Sequence, residues 1–98
     1  MAMVIKNNEI LNGNAHYVGK GFLIEDKSSL TFTPSVAMPY LVFTFYTSTK
    51  QAIYRISYDN KIRILGDSDY DDQITVNGYG ITIRNSIGWT VPCYIMAL

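Results

Sequence analysis

Charge is scarce in this chain of 98 residues: eight Lys and Arg stand against eight Asp and Glu, 16% of the positions, and the two sets cancel. A neutral chain offers no electrostatic footprint to a phosphate backbone, so nucleic acid is not an expected partner. There is one cysteine, Cys93, which leaves nothing to pair with inside the chain. There is one histidine, His16, with no cysteine close to it in sequence, so a zinc pattern is missing. No run reaches membrane-spanning length; the most apolar one, Tyr40 to Tyr46, is interrupted by Thr44, and no membrane insertion is expected. Met1-Ala2-Met3-Val4 lacks a basic segment leading into an apolar core, so no secretory signal is read there. Together with the lone cysteine this points to synthesis in a reducing cytoplasm. Gly-x-Ser-x-Gly, a Gly-rich phosphate loop and His-Glu-x-x-His are absent as well. The chain is therefore expected not to be an enzyme and to need no cofactor and no metal.

What is present is apolar: 48% of residues are hydrophobic and 13% aromatic. Residues 1–98 read as a single domain, without linker, repeat or low-complexity tract. A domain this small has a high surface-to-volume ratio, folding burying about 60–65% of the extended chain's surface, and should be more polar than average. Yet Ser28 to Thr49 and Asn85 to Leu98, stretches of 22 and 14 residues, carry no charge. The physical implication is that one face is covered by another copy of the chain or by a partner.

Ile, Val and Thr supply 26 of the 98 positions, and no helical periodicity runs beyond a turn or two. The pattern predicts an all-β fold, a small antiparallel β-sandwich or jelly roll of seven to nine short strands. The predicted strands are Met3–Lys6, Tyr17–Glu25, Ser29–Thr33, Tyr40–Thr47, Gln51–Tyr58, Ile62–Leu65, Gln73–Val76, Ile81–Arg84 and Trp89–Ala97. Asn77-Gly78 sits between two alternating strands, and a two- or four-residue loop there aligns Ile74, Val76, Ile81 and Ile83 on one face. For the hairpin near Asp59, a three-residue loop from Asp59 to Lys61 is expected, because it sets Ile62 and Ile64 beside Tyr58, Ile56 and Tyr54. Tyr40–Thr47 and the last strand are apolar on both faces, and Pro92, lacking an amide, suggests an edge or a bulge. Phe43, Phe45 and Trp89, as large aromatics, are expected in or beside the main core.

Asp67-Ser-Asp69-Tyr-Asp71-Asp72 is the densest polar cluster. Its acids match positions one, three and five of an EF-hand loop, but Asp72 stands where Gly is needed and Gly78 where Glu belongs. It reads as a solvated turn with exposed acids, a looser calcium loop being the alternative. Tyr70 in that loop, with Asn77 and Tyr79 in the next hairpin, forms a candidate ligand-binding platform on which a sugar ring would stack while the amide and hydroxyls exchange hydrogen bonds. Cys93, between Pro92 and Tyr94, reads as a small buried hydrophobe rather than a reactive thiol.

Asn77-Gly-Tyr-Gly-Ile-Thr-Ile-Arg-Asn-Ser-Ile-Gly-Trp89 and Val91-Pro-Cys-Tyr-Ile-Met-Ala-Leu98 together resemble the C-terminal ends of bacteriophage tail-fibre and receptor-binding-protein tip domains. Those ends have a Gly-rich hairpin, a turn with Asn, Ser and Trp, and a hydrophobic final strand. The resemblance covers about 25 residues and lies in pattern rather than in a diagnostic motif. It implies a sandwich or jelly roll, a homo-oligomer with a trimer favoured, a location on a virion or extracellular particle, and recognition of a cell-surface glycan or protein receptor. The alternative is a structural assembly protein of a virion or particle whose partners are proteins alone. A fibre tip follows a long shaft, and only Met1 to Asn14 stand in that place here.

Overall fold

A computed structural model describes residues 3–12, 20–34, 36–57, 60–66 and 68–97. Ten strands are present among them: β1 Met3–Ile5, β2 Asn8–Asn12, β3 Lys20–Ile24, β4 Ser29–Thr33, β5 Tyr40–Phe45, β6 Gln51–Ser57, β7 Asn60–Gly66, β8 Ile74–Asn77, β9 Gly80–Arg84 and β10 Val91–Ala97. A 3₁₀ segment, Ser68–Gln73, made of two short turns kinked at Tyr70, links β7 to β8. The strands form two sheets, β1-β3-β10-β5-β6-β7 and β2-β4-β9-β8. The all-β sandwich is as expected, but Asn8–Asn12 adds a strand to the count, and the sheets are mixed rather than purely antiparallel. β1 lies parallel to β3 and β2 parallel to β4.

Two chain segments therefore run side by side and pass together from one sheet to the other. The passage needs a sharp turn in each, and Asn7 and Lys27 supply it with left-handed backbones at φ 61° and 65°. The Asn7 amide donates to the Ser28 hydroxyl, and the Ser29 amide donates to the Asn7 carbonyl, which stitches the turns together. The other side of the sandwich is closed differently. β5, β6 and β7 form a meander, the 3₁₀ helix carries the chain across, and β8–β9 forms a hairpin before β10 returns between β3 and β5.

The β8–β9 hairpin closes through Gly78 and Tyr79, with Asn77 paired to Gly80 and Gly78 at φ 62°, a conformation that favours glycine at the first position of a tight turn. Ile74 pairs with Ile83 and Val76 with Ile81, so the expected face is formed. The β6–β7 hairpin departs from expectation. Ser57 pairs with Asn60 and Arg55 with Ile62, a two-residue connection, and a bulge then sets Ile64 and Leu65 against Ile53. The physical reason is width: a six-stranded sheet overhangs a four-stranded one. The inward positions of β7, Lys61 and Arg63, meet the 3₁₀ helix instead of apolar core, and the apolar residues turn outward.

The core is rich in Ile and Tyr. Phe22, Ile24, Tyr40, Val42, Tyr54, Ile56, Val91, Cys93 and Ile95 meet Leu30, Phe32, Ile74, Ile81 and Ile83 of the facing sheet, all buried. Fully burying each large aliphatic contributes about 1.5–3 kcal/mol before chain entropy is charged against it. The expectation that Phe43 and Phe45 fill this core is overturned. On β5 the buried positions are Tyr40, Val42 and Thr44, while Phe43 is half-buried and Phe45 exposed on the opposite side. Tyrosines fit the inner positions because each hydroxyl reaches the rim: Tyr40 donates to the Tyr79 carbonyl at 3.0 Å and Tyr54 to the Asp71 carboxylate at 2.6 Å. Trp89 is likewise not core; it is 45% exposed in the turn before β10. Pro92 lies on an interior strand, not an edge. Its missing amide does no harm, because pairing of β10 with β5 begins only at Cys93. No helix of the described residues is long and apolar enough to cross a membrane.

Candidate functional site

With one side of the six-stranded sheet committed to the core, the outward positions are set by alternation along each strand. Their pairing makes continuous rows across the strands. One row runs Gly21, Tyr94, Phe43, Ile53, Leu65 from β3 to β7. The next runs Met96, Leu41, Arg55, Ile62. Toward β1, Val4 pairs with Leu23 and Leu23 with Pro92. Phe43 and Tyr94 meet edge to face, ring centres 6.2 Å apart. Ile62, Ile64 and Leu65 are 50, 55 and 56% exposed. The face is thus largely apolar, broken on β6 by Arg55 between Gln51 and Ser57 at the strand ends. Soluble monomers rarely carry a contiguous apolar patch beyond a few hundred Å².

The outward face of the four-stranded sheet has the opposite chemistry. Ser29, Thr31, Thr75, Asn77 and Thr82 line it, with Arg84 and the exposed Ile10. Thr31 and Thr82, paired across β4 and β9, share a hydrogen bond at 3.0 Å, and the Asn77 amide donates to Thr82. An open depression of about 390 Å³ lies here, lined by Asn8, Lys27, Ser29, Thr82 and Arg84.

A third surface is the loop end where β5 runs out. The Trp89 indole N–H donates to the Tyr46 carbonyl, which fixes the ring while leaving it partly in solvent. Tyr70 stacks on Tyr46 with ring centres 4.5 Å apart. Lys50 reaches over the Tyr70 ring and forms a 3.1 Å ion pair with Asp69. The loop from 85 to 90 is held by buried Asn85, whose side-chain amide donates to the carbonyls of Ile24 and Trp89 and whose oxygen accepts from the Ile87 amide. Gln73, also buried, accepts from both the amide and the hydroxyl of Ser86. Sequence reading passed over both amides; their signal is faint, Asn85 being marked only by the turn residues Ser86 and Gly88 around it.

Of the three residues expected to form one platform, Asn77 and Tyr79 share the β8–β9 turn, but Tyr70 lies elsewhere. Tyr79 is held by Tyr40 at the start of β5 and Tyr70 by Tyr46 past its end. Six residues at about 3.3 Å each put these anchors roughly 20 Å apart. Tyr70 instead gains Tyr46, Lys50 and the Trp89 side of the molecule as neighbours.

The acids of the 67–72 segment also diverge; Asp67 lies outside the described residues. Asp69 pairs with Lys50 and is exposed, while Asp72 accepts from Gln73. Asp71 is half-buried rather than exposed, because it accepts from Tyr54 and stands 3.7 Å from Arg63. Burial, and then the Asp71 carboxylate, hold the Tyr54 phenol above its ordinary range. Among the described residues no three His, Cys, Asp or Glu side chains are grouped to hold a metal ion. His16 lies outside them. Burial pushes the Cys93 thiol up to about 12, so it stays protonated and a poor nucleophile at neutral pH. Comparison with known proteins gives no matching family model, no matching curated protein and no matching solved structure.

Proposed function

We propose that this chain is a non-catalytic binding and assembly module whose working surface is the apolar outer face of the six-stranded sheet. The observation that carries the reading is the chemical contrast between the two outer faces, Leu, Ile, Phe, Tyr and Met on one and Ser, Thr and Asn on the other. Leaving the first in water costs free energy roughly in proportion to its area, so covering it is favourable. The C-terminal pattern that resembles fibre tips supports the same setting, an oligomeric particle. The described acids of the 67–72 segment, Asp69, Asp71 and Asp72, are engaged in structural contacts, which favours binding over catalysis. Hydroxyl-radical footprinting tests the reading. Tyr94 and Met96 are expected to be protected relative to Trp89 at working concentration, and oxidation of all three at rates following their exposure in a single chain would exclude it.

A second reading follows from the loop end. An exposed tryptophan with its N–H already engaged presents a fixed ring face, and the neighbouring Lys50, Asp69 and Tyr70 supply polar contacts, the combination that suits a cell-surface glycan. A glycan array with Trp89→Ala as the control variant tests it: binding that survives the substitution rules this surface out.

A further inference from the structure

Resting on the covered-face reading, we infer that the occupant of the six-stranded face is a second copy of this chain, laid face to face about a two-fold axis. Six strands at about 4.8 Å spacing and five residues of about 3.3 Å each give a footprint near 450 Å². The accessible area of a corrugated side-chain surface exceeds its flat footprint. Two such faces in contact therefore remove on the order of 1,200 Å² from water, the lower bound of a stable specific interface. A patch confined to one or two strands would fall short of that.

Charge is compatible with the same occupant. A foreign partner shaped for this face would be expected to bring an acid to Arg55, whereas a second copy brings another Arg55, so self-pairing must keep the two apart. It does. Arg55 lies on β6, one and a half strand spacings, or about 7 Å, from the β10–β5 seam at the middle of the sheet. A two-fold axis along that seam sets the two guanidinium-bearing positions about 14 Å apart, beyond the screening length of about 8 Å at physiological salt. At the seam itself the facing residues are Phe43, Tyr94, Leu41 and Met96, whose edge-to-face and aliphatic contacts are self-compatible.

Symmetry selects two copies over three. The apolar surface is one face backed by a polar one, and a single self-complementary face closes as an isologous pair. A three-fold ring needs two different surfaces on each subunit, meeting at an angle, and the outer face of the four-stranded sheet does not offer a second apolar one. The inference departs from the trimer that a fibre-tip resemblance implies.

Sedimentation of the purified chain across the micromolar range, with footprinting of the same samples, provides the test. Met96→Lys and Leu65→Lys place a charge on the seam and on the edge of the face at exposed positions, where folding is little affected; circular dichroism verifies that they fold. Thr82→Lys does the same on the opposite face. The expected result is a dimer whose dissociation constant rises by about a hundredfold or more with Met96→Lys, by less with Leu65→Lys, and not with Thr82→Lys. A trimer or larger ring dispersed by the two face variants would overturn the two-copy inference and leave the covered-face reading standing. A monomer with Tyr94 and Met96 freely oxidised would overturn both, as would a dimer dispersed by Thr82→Lys alone.

Discussion

Inside the sandwich the two sheets are alike, each presenting Ile and aromatic side chains at alternate positions; outside they are opposites. β4 and β9 carry Leu30, Phe32, Ile81 and Ile83 inward and Ser29, Thr31, Thr82 and Arg84 outward. β5 and β10 carry Tyr40, Val42, Cys93 and Ile95 inward and Leu41, Phe43, Tyr94 and Met96 outward. The first pair is patterned for one buried face, the second for two. Since one sandwich core can use only one face of each sheet, the second pattern states a requirement that the described residues of a single chain do not meet. That difference, rather than any cluster of reactive groups, is the strongest signal among the described residues.

The comparison breaks most visibly between neighbours on one strand. Val42 is fully buried and Phe43, next to it, faces out. Val42→Asp forces a carboxylate into the core with no partner, a loss of more than about 4 kcal/mol, and the chain is expected to unfold. Phe43→Lys is expected to retain the native circular dichroism while reducing association. Equal unfolding by both would show that the outer face is interior in the monomer, and equal tolerance would show that the faces of β5 are assigned the wrong way round.

The inner tyrosines allow a milder test by pH. Burial holds the phenols of Tyr40, Tyr46 and Tyr54 above the ordinary value of 10.0. Between the unfolded and the folded pKa the native state binds more protons than the unfolded one, so stability falls as pH rises. The full stability is present below about pH 10 and each such group removes up to about 1.4 kcal/mol per pH unit above it. Denaturant midpoints measured from pH 8 to pH 12 are expected to be flat at first and then to drop. Tyr54→Phe is expected to make that drop shallower, at the cost of the Asp71 hydrogen bond at neutral pH. A midpoint independent of pH up to 12 would contradict the buried placement of these rings.

The fold was legible where one parity of a strand is apolar and the other polar. Ser29–Thr33 was placed to the residue, and the β8–β9 hairpin followed from Asn77-Gly78 and the alternation around it. Where both parities are apolar, as on β5, nothing in the sequence says which side meets the facing sheet. Size then favoured Phe43 and Phe45, but the rim of the core demanded hydroxyls, which tyrosine has and phenylalanine lacks. The β7 register failed for a different reason: apolar alternation was assumed to point at the core, and an overhanging strand is exempt from that rule. β2 escaped notice because three of its five residues, Asn8, Glu9 and Asn12, are poor strand formers, and the strand is held by pairing to β4. Of the candidate site, the paired turn residues Asn77 and Tyr79 were readable locally, while the neighbours of Tyr70 depend on which strands end at the same side of the sandwich, which is a property of topology.

The smallest effect on stability belongs to the polar face and sharpens the comparison from the other direction. Thr31 and Thr82 pair across β4 and β9 through their hydroxyls, beside the exposed Ile10. Valine has nearly the same shape as threonine and a high preference for strands, so Thr31→Val with Thr82→Val removes one half-buried hydrogen bond and little else. The Asn77 amide, which is exposed, exchanges its Thr82 acceptor for water. The net change in stability is expected to stay within about 0.5 to 1 kcal/mol, a shift of a few degrees in a thermal melt. Association should respond more than folding does. A sandwich with one apolar face closes on itself in pairs, whereas one with two apolar faces can stack without limit. The double variant is therefore expected to scatter light increasingly with concentration while the parent stays at its fixed size. If both behave alike in light scattering, the polarity of this face has no part in limiting assembly.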